Sequence, residues 1–357
     1  MIKMVGIVLN RTVGIVGGGV TGLIIGIFLA REGFKVSIFE KNKLLSQTSS
    51  KTTKLLHGGL RYLENFQIKE VQNGLKDREW WLKNFPKHTN KMQIAMPFKS
   101  SKNLNFFKYF IGIKLYEMLA GSKKIGGSKI LDISKYDSFD LKEDYSKYIS
   151  FFDGFMDDEM LGQELINLAK DLNIDIFENH EIKYFDDRGN IDNYKFDKII
   201  LSVGPWTEIL LEKNKIKPLK KIDFIKGSHL IIKREIKNGI MLKGRCKKRY
   251  IFALPYKKMM LLGTTEERVN SPESPNVDTH EVEYLLDSIN FYLKDPISKN
   301  EIVSSYAGVR PLIKSNKKSF VNSSRDFFIQ NEDKLIAIYG GKWTTSPSIA
   351  REVVTII

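Results

Sequence analysis

Three glycines, Gly17, Gly19 and Gly22, follow the apolar run Val13 to Val16 with G-x-G-x-x-G spacing, and Glu40 stands 18 residues beyond the last of them. Gly17 permits a tight turn, Gly19 keeps side-chain bulk away from a pyrophosphate, and Gly22 lets the next helix pack closely on the strand. The phosphates of a dinucleotide then meet a helix N-terminus, and the acid at the end of the second strand takes a ribose hydroxyl. A second group of chemistry-bearing residues lies between Leu44 and Leu63. Ser46, Thr48, Ser49 and Ser50 offer hydroxyls around a phosphate or a ring edge. His57 precedes Gly58 and Gly59, which allow close approach of backbone to a planar cofactor, and Arg61 and Tyr62 set a cation beside a phenol. Taken singly, each has a structural alternative: a satisfied buried imidazole for His57, a surface ion pair for Arg61, core packing for Tyr62. Their concentration in one loop favours a site.

These residues need a parallel strand, a helix following the glycines and ending before the turn at Gly33, and a second strand from Lys35 to Phe39 to position them. Downstream, the sequence predicts a helix over Phe66 to Phe85, a strand from Lys91 to Phe98, and an amphipathic segment from Leu104 to Leu119. That segment mixes aromatics with Lys108 and Lys114, so it either packs on a sheet or lies in a membrane interface. Asp197 to Val203 reads as another buried strand. Residues 216–320 read as a largely antiparallel sheet with one helix near His280 to Leu293. A last strand, Lys334 to Tyr339, runs into Gly340 and Gly341, and Thr344 or Thr345 is placed to cap the final helix. The fold class is α/β, α+β overall: a Rossmann-like dinucleotide-binding domain, for which the resemblance given below implies an FAD-binding domain, with a mostly antiparallel substrate domain. The expected division assigns 1–95, 150–215 and 326–357 to the nucleotide fold. It assigns 96–149 to a cap insertion and 216–325 to the substrate domain.

The chain has 357 residues, 42% of them hydrophobic, one cysteine (Cys246), and a formal net charge of +15. A single cysteine excludes an internal disulfide and any multi-cysteine metal site, and no metal is expected. The densest basic cluster, Lys243 to Arg249, lacks interleaved aromatics, so a lysine-rich solvated surface is expected rather than a nucleic-acid site. The N-terminal lead has none of the parts of a secretion signal, and no uncharged apolar run reaches the roughly 18 residues of a membrane span. The expected location is cytoplasmic, with peripheral contact on the inner face of the cytoplasmic membrane as an option.

The stretch TSSKTTKLLHGGLRYLENF, after GGGVTG and the acid-ended strand, resembles the FAD-dependent glycerol-3-phosphate dehydrogenases of the D-amino-acid-oxidase-like flavoprotein superfamily. FMDDEML (155–161), SVGPW (202–206), IKGSHL (225–230), LLGTT (261–265), YAGVRPL (306–312) and YGGKWTT (339–345) continue the resemblance in order. Longer members of that family continue into a C-terminal helical domain, so this chain resembles a short form. The resemblance implies FAD, held by Gly17, Gly19, Gly22, Glu40, Lys41, Thr48, Ser49, Ser50, Leu56, Gly58, Gly59, Gly204, Trp206, Gly340, Gly341, Thr344 and Thr345. It places Lys226 and His229 at the active-site sheet, with His229 the leading base and His57 the second. Arg61, Arg310 and Lys342 form a cationic clamp for a phosphorylated substrate, and Tyr62 orients it. For Arg310 the alternative is an ion pair with an acid such as Glu301. His88, His180 and His280 lack motif context and are expected at the surface.

The implied reaction is oxidation of sn-glycerol 3-phosphate to dihydroxyacetone phosphate, with electrons passed to quinone or another acceptor such as oxygen. Competing readings are a related flavoenzyme acting on another phosphorylated polyol, a 2-hydroxy acid or an amine, and a nucleotide-binding module without turnover.

Overall fold

The computed structural model describes residues 11–100, 104–133, 140–245, 249–314 and 327–357. Cys246 and the two lysines after it lie outside the described residues. The helices are α1 (Val20–Arg31), α2 (Ile68–Asn84), α3 (Leu104–Ala120), α4 (Asp158–Asp171), α5 (Thr207–Lys213), α6 (Thr279–Asn290) and α7 (Ser346–Ile356).

A six-stranded sheet carries the nucleotide fold, in the order Phe327–Glu332, Leu335–Gly340, Lys198–Leu201, Thr12–Val16, Lys35–Phe39, Asp175–Phe177. All neighbours are parallel except the first pair, which is antiparallel. The central strands read as continuous apolar runs because both faces are covered. On one face α1 is apolar nearly all round and packs with α4 and α7 through Leu23, Ile27, Leu161, Leu165, Ile349 and Val353. On the other face Phe39, Phe196, Leu201 and Tyr339 form a second core.

The other large sheet is antiparallel throughout its main path except where Gly239–Lys243 runs parallel to Thr89–Phe98. Thr89–Phe98 pairs along its full length with Lys147–Met156. The boundary expected near residue 95 falls inside a strand of this sheet, to which residues 89–98 and 147–156 both belong. An alternating strand shows that it has a buried face without showing which sheet supplies the neighbours. The long strands Ile222–Ile232 and Ile302–Ile313 pair so that His229 lies opposite Tyr306 and Ile225 opposite Arg310.

Helix α6 covers one face of this sheet, with Leu285, Leu286 and Ile289 against Leu230, Ile240 and Ile251. A capping box between Asp278 and Glu281 starts it. Helix α3 covers part of the other face through Phe106 and Ile113. Its opposite side leaves Leu104, Phe107, Ile111 and Met118 exposed, so the segment packs on the sheet and still presents apolar side chains to solvent. Among the described residues, no helix is long and apolar enough to cross a membrane.

Candidate active site

The turn after Thr12–Val16 is built as the glycine spacing requires. Gly17 has φ +108°, and a Cβ there would lie 2.4 Å from the Ser202 carbonyl oxygen. A Cβ on Gly22 would lie 2.1 Å from the Gly17 carbonyl oxygen, so only glycine lets α1 approach the turn this closely. At Gly19 the sole neighbour of a Cβ would be Ser49 Oγ, at 3.3 Å. Gly19 caps α1 without a side chain, and the first turn holds no acid, so the positive end of the helix faces the cavity uncompensated by a carboxylate. Glu40 accepts from Gly18 N–H at 2.8 Å and from Asn42 N–H at 2.9 Å, which fixes its carboxylate at the cavity wall. Each carboxylate oxygen keeps a lone pair for a ribose hydroxyl. The cradle, the helix end and the acid together fit the pyrophosphate and ribose of a dinucleotide.

This first cavity is also lined by Lys41, Thr48, Ser49, Gly204, Trp206, Gly340 and Gly341. Lys41 Nζ stands 4.8 Å from the centre of the Trp206 ring, and the Trp206 indole donates to Glu273. His180 lines the cavity as well, which corrects the surface position expected for it. Its backbone N–H donates to the Glu40 carbonyl at 2.9 Å, holding it beside the nucleotide strand. His88 and His280 instead pair with Glu164 and Glu267.

A second cavity opens from the first. Both are lined by Thr48, Pro311, Gly341, Lys342 and Trp343, so they form one bent channel. The bend is tied together by Trp343, whose indole donates to the Ser49 carbonyl at 2.7 Å, and by Thr48, whose hydroxyl donates to the Val309 carbonyl at 3.0 Å. From behind, the Trp81 indole donates to the Trp343 and Thr344 carbonyls at 3.1 and 3.2 Å.

His57, Gly59, Tyr62, Arg310, Lys342 and Thr344 line this second cavity. Lys342 Nζ donates to Tyr62 Oη at 2.9 Å, and Arg310 Nη2 donates to Thr264 Oγ1 at 2.8 Å. Glu301, the acid considered for Arg310, pairs with Arg234 at 3.2 Å. The structure therefore brings a phenol, an ammonium and a guanidinium to one space from points far apart in sequence. The backbone of Arg61 belongs to the short 3-10 helix Leu60–Asn65, and its side chain lies outside the described residues.

Several expected residues are not on the channel wall. His229 is fully buried beneath the second cavity, with Nε2 2.8 Å from Thr53 Oγ1. Its pKa lies well below the ordinary histidine value, because burial, then Arg310 and Lys54, disfavour the cation. Leu56 is core, and the Ser50 hydroxyl turns back to the Ser46 and Gln47 carbonyls. Gly58 lies behind the wall, its N–H donating to Tyr116 Oη at 2.8 Å. Thr345 stands at the N-cap of α7 without capping it, its hydroxyl engaged with the Lys342 backbone. Lys226 forms a buried pair with Glu281 at 2.9 Å and a contact with Asp278, on the α6 side.

Sequence reasoning missed Thr53, Asp153, Arg249 and Glu266, all on the second cavity. Arg249 and Glu266 pair with one another there. Thr53 lay inside the quoted hydroxyl-rich stretch, a usable signal, whereas Asp153 sits in an aromatic strand that gives none.

The family model described as FAD dependent oxidoreductase matches residues 12–356. The chain is 30% identical over 370 residues to the aerobic glycerol-3-phosphate dehydrogenase of Staphylococcus aureus strain USA300, covering 96% of this chain and 66% of that protein. It therefore spans just under two thirds of the length of the curated relatives it matches. Among solved structures, it is similar to glycerol-3-phosphate dehydrogenase from Bacillus halodurans complexed with FAD: TM-score 0.73, 22% identity, 98% of this chain and 64% of that one. L-α-glycerophosphate oxidase from Mycoplasma pneumoniae with FAD bound gives TM-score 0.77 at 17% identity, over 97% and 94% of the two chains. Glycine oxidase from Bacillus cereus gives 0.71 at 18%, over 96% of each, so the fold is shared across several donors. With the glycine cradle, the acid and the bent channel in place, the chain belongs to the FAD dependent oxidoreductase family, and FAD is its cofactor.

Proposed function

We propose that the chain oxidises sn-glycerol 3-phosphate to dihydroxyacetone phosphate, with the electrons passing from the cofactor to quinone or another acceptor. The observation that carries this reading is the meeting of Tyr62, Arg310 and Lys342 on a cavity continuous with the dinucleotide cradle. Bound FAD supplies a hydride acceptor. Gly17, Gly19, Glu40, Ser49 and the α1 N-terminus hold its pyrophosphate and ribose, while Thr48, Gly341 and Lys342 stand at the bend. Arg310 gives a phosphate planar, charge-assisted hydrogen bonds, and Lys342 adds a point charge that suits a dianion better than a carboxylate. Tyr62, already bonded to Lys342, orients the substrate through its phenol. The hydroxyl proton requires a base, and an imidazole stands on the wall in His57 and one hydrogen bond behind it in His229.

The test is anaerobic: the visible flavin band of purified protein is followed as sn-glycerol 3-phosphate is added. Bleaching is the expected result. Arg310 is also able to hold a carboxylate, so a 2-hydroxy acid or amino acid is the competing donor class. Bleaching by L-lactate, glycine or L-proline with none by the phosphorylated alcohol would replace the first reading.

The exposed side of α3 sets Leu104, Phe107, Ile111 and Met118 near Lys108 and Lys114, both also exposed. Such a face suits a peripheral contact on the inner surface of the cytoplasmic membrane, where a quinone acceptor resides. Flotation with anionic phosphatidylglycerol vesicles, lost on Phe107→Glu with Ile111→Glu, is the expected behaviour; equal flotation of the variant removes this part of the reading.

A further inference from the structure

His229 is buried where no substrate reaches it, and one group stands between it and the second cavity. Its Nε2 lies 2.8 Å from Thr53 Oγ1, and Thr53 is on the cavity wall that also holds Arg310, Lys342 and Tyr62. Its Nδ1 is buried with no hydrogen-bond partner among the described residues. The ring cannot turn toward the cavity. On one side it stacks on Tyr306, with centroids 4.9 Å apart and planes at 21°. On the other it faces Gly263, where even a Cβ would come within 2.2 Å of its Cδ2.

Thr53 is held just as firmly. The Thr52 hydroxyl donates to Asp158 at 2.7 Å and accepts from Lys54 N–H at 2.9 Å, the Thr52 carbonyl accepts from Tyr306 Oη, and Lys54 pairs with the buried Asp158. A threonine hydroxyl both donates and accepts, so it can pass a proton on while taking one up. A buried base whose hydrogen bond goes to a hydroxyl on the cavity wall describes a two-step proton path.

We propose that Thr53 Oγ1 relays the substrate's hydroxyl proton to His229 Nε2, so that Thr53 touches the substrate and His229 acts through it. This deepens the reading above and rests on it for the identity of the donor. In the step, the substrate O–H bond breaks and its proton bonds to Thr53 Oγ1, while the Thr53 hydroxyl proton bonds to His229 Nε2. The carbinol C–H pair leaves as hydride to oxidised flavin, the carbonyl forms, and His229 carries the extra positive charge. The relay needs the tautomer with its proton on Nδ1, which leaves Nε2 free to accept from Thr53. Arg310, through its charge, opposes protonation of His229 in the free protein. An anionic substrate on Arg310 offsets that charge, so the base gains strength when such a substrate is in place.

The experiment compares wild type, Thr53→Val and Thr53→Ser by anaerobic stopped-flow reduction with sn-glycerol 3-phosphate, alongside His57→Asn and nitrogen-15 NMR of the histidines without substrate. Melting curves and the visible flavin spectrum verify that each variant is folded and loaded. The expected result is a reduction rate lowered roughly 10²–10⁴-fold in Thr53→Val with an unchanged substrate constant. Restoration to within about tenfold in Thr53→Ser is expected too, since the hydroxyl returns. The His229 Nε2 resonance should move in Thr53→Val and return in Thr53→Ser. Wild-type rates in Thr53→Val, with reduction lost in His57→Asn, overturn the proposal in favour of direct transfer to His57. If wild type is bleached by L-lactate, glycine or L-proline instead, the substrate reading fails and the same comparison with that donor decides the relay. If none bleaches it, an unmoved His229 resonance in Thr53→Val overturns the relay, and a moved one supports it.

Discussion

Asp153→Asn removes one charge from the interior without changing side-chain size, and its effect follows from what Asp153 faces. Arg78, on α2, is 1% exposed, with Nη1 3.0 Å from Asp153 Oδ1. Burial raises the Asp153 carboxyl above its ordinary value, and the Arg78 guanidinium and the Tyr116 hydroxyl, 3.0 Å from Oδ2, offset part of that rise. On Arg78 burial acts to lower the pKa, and the charges and hydrogen bonds of Asp153 and Tyr116 together more than offset it, so the guanidinium stays charged and favours the ionised carboxylate 3.0 Å away. Breaking such a pair from one side costs about 3–5 kcal/mol, because the remaining charge stays buried alone. Removing both charges should recover most of that, since neither is then left uncompensated. The assay is urea unfolding of wild type, Asp153→Asn, Arg78→Met and the double variant, comparing midpoints at equal slope. The expected order puts the double variant above Asp153→Asn. A loss below about 0.5 kcal/mol for Asp153→Asn, the range of an ordinary surface change, would refute the ionised pair. So would a double variant weaker than Asp153→Asn.

Gly22→Ala forces apart a backbone contact, so a loss of about 1–3 kcal/mol and a lower flavin-to-protein absorbance ratio are expected. Gly112→Ala, on α3 with nothing within 4 Å of its Cβ, is the matching control and should raise the melting temperature, by up to about 1 kcal/mol of stability. Arg310→Ala should raise KM for sn-glycerol 3-phosphate roughly 10–100-fold while the visible spectrum stays unchanged, as expected for loss of a charged hydrogen bond. His229 gives a pH signature: its folded pKa is depressed from 6.5, so the unfolded chain takes up the proton first as pH falls. Stability is then complete above about pH 6.5 and declines below it by about 1.4 kcal/mol per pH unit down to the folded pKa. Burial depresses it first, then the charges of Arg310 on the paired strand and Lys54 in the facing loop, while Thr53 and the flat side of Tyr306 also face the ring. Urea midpoints of His229→Gln should lose that slope between pH 6.5 and 5.

The nucleotide unit was legible because its chemistry is local. Strand, cradle, helix and acid occupy one stretch, Thr12 to Glu40, and each glycine has a steric reason readable from spacing. The second cavity was legible only through the resemblance of motifs. Tyr62, Arg310 and Lys342 meet through sheet crossovers that no spacing encodes. His229 shows the limit most clearly: side chains alternate along Ile222–Ile232, so residue type cannot tell which face carries the cavity. The result is an imidazole one hydrogen bond from the space it was expected to line. Arg78, in the charged run KDREWWLKN, reads as solvated until α3 and the strand Lys147–Met156 close over it. Lys91 to Phe98 reads as a strand from its sequence, but its partners depend on a connection through α3.

The two loops at the bend join cofactor and substrate binding. Thr48 and Lys342 each stand on both cavities, and Trp343 fastens one loop to the other through the Ser49 carbonyl. Gly58, behind His57, is fastened to α3 by Tyr116, the helix whose outer side is apolar. Residues 48–50 are thus hydrogen-bonded to the wall that holds Lys342 and, through it, Tyr62. Any binding energy that one cavity passes to the other through this contact is reciprocal by linkage: each ligand changes the other's affinity by the same factor.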